Sequence, residues 1–300
     1  MNSIVRALCI MVLCGVVVNV RAQEAEPKSQ TGDASRQPAG AKSPATEPEE
    51  QPSESADKPA TPIKIDKKLV DAGLKALKSI KPLAPGAVHE SFFHISMGPN
   101  DPIGYVATSL IGSKVDDKLV YDYKTDTANT FPNRTRFKAV VVAKLQPDFQ
   151  PIDIELRRNI TPETGDERGD VQRAKFGAKV VKLSAKPKGS EEVKTEVPRP
   201  DPPFIYGIET VVQLIDFDVH KEFVLREFDV TSGKAGDLFF ESQVWKDGTT
   251  TVVVANTAGV VSYQFWFDDN NKLLRWGMPS MPVMFIRTTK ERVRLMGWEG

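Results

Sequence analysis

The chain has 300 residues, with 40 basic and 40 acidic side chains, three histidines and two cysteines. Both cysteines, Cys9 and Cys14, sit in a short apolar stretch near the start, so no disulfide scaffold and no thiolate metal site can form beyond residue 14. An apolar fraction of 40% suits a globular protein and is too low for a multi-span membrane protein.

Residues 1–22 read as a secretory signal. Arg6 supplies the positive charge, residues 7–18 form an apolar run, and Val20-Arg21-Ala22 offers a cleavage site before Gln23. An uncleaved anchor is the alternative reading. A span needs about 20 apolar residues, and Asn19 and Arg21 interrupt this run too soon. A secreted protein of the periplasm or cell envelope, with no membrane span after cleavage, is the expectation. Residues 23–63 change in character. Up to Pro62 they hold seven prolines and no Val, Ile, Leu, Phe, Tyr or Trp, with eight acidic residues against four basic. Such a stretch buries too little apolar surface to offset the entropy of ordering, and reads as a disordered tether.

Residues 64–300 are expected to form one domain, since no second low-complexity stretch and no internal repeat interrupts them. A helix is predicted over 66–79, capped by Asp66, with Val70, Leu74 and Leu77 on one face and Lys81-Pro82 as its stop. A second is predicted over 204–215. Asp201 precedes Pro202 and Pro203, and Phe204, Ile208, Val211, Val212 and Ile215 fall on one face, opposite Glu209 and Gln213. Nearly everything else alternates. Ile152, Ile154 and Leu156 interleave with Asp153, Glu155 and Arg157, the pattern of a strand with one wet face. Further strands are predicted over 88–97, 104–110, 118–124, 136–145, 174–183, 191–197, 222–231, 237–245, 249–255, 260–267, 272–278 and 283–288. The mixed-charge run 163–175 reads as a solvated loop. Strands follow one another without intervening helices, which excludes a parallel βαβ sheet. The predicted fold is mainly β with two helices, a large curved antiparallel sheet (a half-barrel) wrapped on a helix.

The last long hairpin carries the most information. With residues 268–271 as a four-residue loop, Leu274 opposes Phe265 and Trp276 opposes Tyr263. Tyr263, Phe265, Phe267, Leu274 and Trp276 then share one face, and Gln264, Trp266, Leu273 and Arg275 the other. The run 261–276 (VSYQFWFDDNNKLLRW) resembles the aromatic-W-x-D…L-L-R hairpin of exported bacterial β proteins without an assigned activity. These in turn resemble the half-barrels of the lipoprotein carriers (LolA/LolB type). The order of elements from Gly104 onward is similar too, including the L-x-P-D-F-x-P-I turn over 145–152. The resemblance implies a curved sheet that shelters acyl chains in an apolar cavity. It transfers no individual catalytic or binding residue.

Tests for chemistry are mostly negative. His89 and His94 mimic a zinc-protease helix, but are spaced i, i+5 instead of i, i+4, and on a strand would point to opposite faces. Asp216, Asp218 and His220 alternate, so in a strand they would share a face and could serve a hydrolase; they also sit where the second helix should turn into a strand. There is no Gly-x-Ser-x-Gly elbow, no glycine-rich phosphate loop and no strongly basic face for nucleic acid. Asn133-Arg134-Thr135 fits a glycosylation acceptor. No catalytic residue, metal or cofactor is expected.

The leading expectation is thus an exported, non-enzymatic β protein binding a lipid, another apolar ligand or a lipoprotein in the sheet's concavity. Phe204, Ile208, Phe239, Tyr263, Phe265 and Trp276 would line that site. A structural or protein-interaction module with no ligand is the alternative, and a hydrolase built on Asp216, Asp218 and His220 the third. The sequence does not specify an oligomeric state.

Overall fold

A computed structural model describes residues 61–98 and 102–300. The predicted secretory signal and the predicted tether up to residue 60 lie outside the described residues. The last tether residues do not behave as a free chain: the Ile63 N–H donates to Thr257 O at 3.0 Å.

Helix α1 (Lys67–Ser79) begins as expected, with Asp66 Oδ1 accepting the Leu69 N–H. Eight strands follow: β1 (Val88–Ser96), β2 (Pro102–Val115), β3 (Lys118–Thr130), β4 (Arg136–Leu145), β5 (Pro151–Thr161), β6 (Arg168–Phe176), β7 (Val180–Pro187) and β8 (Val193–Pro198). A crossover, residues 199–221, contains the one-turn helix α2 (Ile208–Val211). Then come β9 (Glu222–Asp229), β10 (Lys234–Val244), β11 (Thr250–Asn256), β12 (Val261–Phe267), β13 (Leu273–Gly277), β14 (Met284–Arg287) and α3 (Lys290–Leu295).

All fourteen strands form one antiparallel sheet in the order β8-β7-β6-β5-β4-β3-β2-β1-β14-β13-β12-β11-β10-β9. Sequence neighbours pair throughout, except at one break, and β14 pairs with β1 to join the two halves. The break falls between β8 and β9, which become the two edges of an open, curved sheet. Side chains lie across that seam: the Phe176 ring of β6 sits 4.7 Å from Phe228 of β9. The β9–β10 turn also presses on β7, so that a Cβ on Gly233 would fall 2.4 Å from Leu183 Cδ1.

The mainly-β, half-barrel expectation holds, with four local corrections. The second helix spans four residues instead of twelve. Its forerunner Ile205 instead makes a strand-like bridge to β9, donating to Arg226 O at 2.7 Å and accepting from the Phe228 N–H at 3.0 Å. Gly207, in the left-handed region at φ 81°, turns the chain into α2. The apolar residues of the segment are buried as read, Phe204, Ile208, Val211, Val212 and Ile215 being each 0–4% exposed, but Glu209 and Gln213, read as the wet face, are also partly buried.

The predicted strand 174–183 is two strands, β6 and β7, folded back where the Gly177 N–H donates to Val180 O. The predicted loop 163–175 is largely β6. Its mixed charges are cross-strand pairs, Arg173 Nε to Glu155 Oε2 at 2.6 Å and a two-pronged Arg158–Asp170 contact at 2.8 and 2.6 Å.

The aromatic hairpin is two residues out of its predicted register at Phe265 and one residue out at Phe267. Phe265 pairs with Trp276 and Trp266 with Arg275, and a bulge then brings Phe267 opposite Leu273. Asn271, at φ 57°, accommodates the longer loop. The consequence is a swap: Leu273 is buried at 1% and Leu274 is exposed at 42%.

The free edge of β9 is covered. Arg226 O and the Phe228 N–H meet Ile205, and Val224 O lies under α1 at Gly73. A Cβ on Gly73 would sit 2.0 Å from that carbonyl oxygen, so only glycine lets the helix approach. The β8 edge is handled differently, being short and carrying Lys194, Glu196 and Pro198. Gly73→Ala is therefore expected to destabilise the fold by about 1–3 kcal/mol, where helix propensity alone predicts a gain of about 1 kcal/mol. Urea midpoints of the two proteins check the sign.

Candidate functional site

The structure places five of the six residues predicted to bind an apolar ligand inside the sheet. Phe204 and Phe265 are fully buried, and Ile208, Trp276 and Tyr263 are 2%, 6% and 9% exposed. Tyr263, Phe265 and Trp276 are brought together. Trp276 stacks on Phe285 at 3.7 Å between ring centres and on Phe265 at 6.1 Å, with Tyr263 6.5 Å away. Phe204 belongs to a separate cluster with Phe176 and Phe228. Phe239 alternates with the buried Leu238 and Phe240 and points, half-buried, from the opposite face of the sheet.

The aspartates and histidine after α2 do local work. Asp216 Oδ1 accepts the Asp218 N–H at 3.0 Å, and Asp216 O accepts the His220 N–H, which makes a turn. His220 Nε2 lies 3.1 Å from Ser79 Oγ, at the end of α1. Among the described residues no group of three His, Cys, Asp or Glu could hold a metal ion, and no helix is long and apolar enough to cross a membrane. His89 and His94 do sit on one strand, β1, and point to opposite faces as their spacing predicts.

The titratable groups most altered by the fold were read as the wet face of a helix, or not singled out at all. Glu209 lies in α2 and Glu227 on β9, both half-buried beside Tyr123 and Thr125 of β3 and Tyr206 of the crossover. Thr125 Oγ1 donates to the Tyr123 hydroxyl at 2.7 Å, and Tyr123 donates to Glu209 Oε1. The Ile208 N–H donates to Glu227 Oε1 at 3.4 Å. Between these groups is a cavity of about 30 Å³, room for a water but not for a substrate. Burial raises the Glu209 carboxyl above its usual range, against the pull of the Tyr123 hydrogen bond. Burial, reinforced by the charge of Glu209, pushes Glu227 up to about 8, opposed by the Ile208 N–H. Tyr123 is pushed well above its usual value by the same burial and by Glu209. Chemically the cluster is a proton-holding latch between crossover and sheet. One signal was available in the sequence: Glu227 follows Phe223 and Leu225 at strand spacing, so a carboxyl stands in a row of core positions.

Two open concavities lie on the outside of the sheet. One, about 800 Å³, runs across β4–β8 and carries charges of both signs, among them Glu155, Arg157, Arg173, Lys182, Lys194 and Glu196. Burial tends to raise the Glu155 carboxyl, but hydrogen bonds from Arg173 and Arg157 outweigh it and hold Glu155 below its usual value. The other, about 410 Å³, lies over β12–β14 beside Trp266, which the Arg275 guanidinium covers at 4.7 Å.

The latch gives stability a definite pH dependence. Below about pH 4.5 the Glu227 carboxyl is protonated both folded and unfolded. Between there and about pH 8 the unfolded chain releases the proton and the folded one keeps it, so stability falls as pH rises through this window. A shift of that size bounds the loss at about 5 kcal/mol. Glu227→Gln should flatten the slope and raise the urea midpoint at pH 8 while leaving it nearly unchanged at pH 5.

No protein family's sequence profile matches the chain, and no curated protein matches it either. Among solved structures it is similar to a β-barrel-like protein of a domain of unknown function, DUF1849, from Brucella abortus, at 9% identity and a TM-score of 0.43, over 69% of this chain and 98% of that one.

Proposed function

We propose that this protein is an exported, non-enzymatic β-sheet module of the cell envelope, held by its N-terminal tether and working through the outside of its sheet. The observation that carries this reading is the seating of the crossover, whose side chains fill the concavity where an apolar ligand was expected. Export is supported by Arg6, the apolar run after it and the cleavage site offered by Val20-Arg21-Ala22. A non-enzymatic role is supported by the cavity beside the Glu209–Glu227 pair, which at about 30 Å³ has no room for a substrate. A polypeptide partner suits the outer concavity across β4–β8, where paired charges border the unpaired edge of β8 and an extended segment could add to both.

A second reading, a carrier of an apolar ligand or lipoprotein as the half-barrel resemblance implies, is favoured by one feature. The crossover meets the sheet across buried polar atoms that lack partners, Thr210 Oγ1, Gln213 Oε1 and Thr127 Oγ1. Each costs on the order of 1–3 kcal/mol, which favours departure of the crossover and exposure of the apolar wall around Phe265 and Trp276.

Native mass spectrometry of the protein isolated from the envelope, with lipid extraction, separates the readings. The interaction module is expected to carry no acyl lipid at pH 5 or pH 8. It should also yield a protein adduct from a photo-cross-linking residue at Lys194, weakened by Arg173→Glu. A stoichiometric lipid would replace it with the carrier.

A further inference from the structure

Beyond Met1 and Met11 the chain has five methionines, and four of them, Met97, Met278, Met281 and Met284, line the single groove over β12–β14. The backbone is what gathers them. Met284 is the cross-strand partner of Gly277, the residue before Met278, and of Ser96, the residue before Met97. The Met281 N–H donates to Met278 O at 2.8 Å, closing a turn whose ends lie within about 7 Å of each other. Gly277 leaves the floor open, and a Cβ there would sit 3.2 Å from Met284 Sδ, so this sulfur lies across the gap.

The donor set is soft and neutral. Among the described residues no His, Cys, Asp or Glu lines the groove, so a hard divalent ion finds no ligand among them. Thioether sulfur prefers closed-shell monovalent soft cations. Arg275 also lines the groove, with its guanidinium over the Trp266 ring. Met278 and Met281 are 8% and 7% exposed and pack on the core at the groove's wall, a role that leucine would fill as well and that asks for no sulfur. We propose that this groove is a thioether site for a soft monovalent cation, Cu(I) or Ag(I), with Met278, Met281 and Met284 as its principal ligands.

The site is separate from the crossover and from the β4–β8 concavity, so it stands or falls independently of the role proposed above. The test uses the full chain with Cys9→Ser and Cys14→Ser, which removes competing thiols. Cu(I) is titrated anaerobically against a chromophoric Cu(I) chelator, and Ag(I) is then used to displace it. One Cu(I) per chain is expected. Replacing Met278, Met281 and Met284 together by Leu should weaken binding by at least about 100-fold. These swaps nearly conserve volume, so the thermal midpoint should change little and an apolar groove should persist. Should the triple variant fail to fold, Met284→Leu alone is expected to weaken binding at least about 10-fold. A protein that takes no Cu(I) from the chelator, or leucine variants that take it as well as the methionine protein, would overturn the assignment.

Discussion

The free edge of β9 is the constraint around which this structure is arranged. A fourteen-stranded meander that does not close must leave two edges, and an unpaired edge is both unsatisfied backbone and a template for aggregation. Here the two edges are consecutive in sequence, so the connection between them has to cross the whole opening. By crossing on the inside it solves two problems together. Ile205 supplies the edge with a donor and an acceptor, and the residues after it supply the core. Another carbonyl of β9, Val224 O, falls under α1, and the demand for close approach there explains a glycine in the middle of a helix.

That path also explains the polar interior. A segment threaded through a sheet cannot keep a wet face, so Glu209 and Gln213 enter with the apolar residues. Glu209 meets Tyr123, and Gln213 reaches Ser91 Oγ at 3.3 Å. Glu227 on β9 completes a pair that cannot comfortably ionise twice. The interior is thus occupied by the crossover, while the concave surfaces open to solvent lie on the outside.

Much of the fold was legible because one-sided strands write their burial into the sequence. The apolar face of β4, Phe137 to Leu145 by twos, is buried as read, and so are Ile154 and Leu156 of β5. What escaped reading has physical causes. Charges on β6 resemble a loop until their cross-strand partners on β5 are known. The bulge between Trp266 and Phe267, beside a loop with Asn271 in the left-handed region, reverses Leu273 and Leu274 without changing composition. The pairing of β14 with β1 joins segments nearly two hundred residues apart and has no local signal. The candidate site was half legible: Tyr263, Phe265 and Trp276 do share the inner face, but Phe204 was taken for their neighbour because the crossover was taken for a helix. The methionine groove could not be seen before the register of β13 and β14 was known.

Residue-resolved amide hydrogen exchange tests the role of the crossover most directly. If Ile205 pairs the β9 edge as a structural necessity, the Ile205 and Phe228 amides should exchange with protection close to that of interior strand amides such as those of β3 and β4. Exchange of both at rates typical of an open loop, while β3 and β4 remain protected, would contradict it and leave the edge of β9 without its partner.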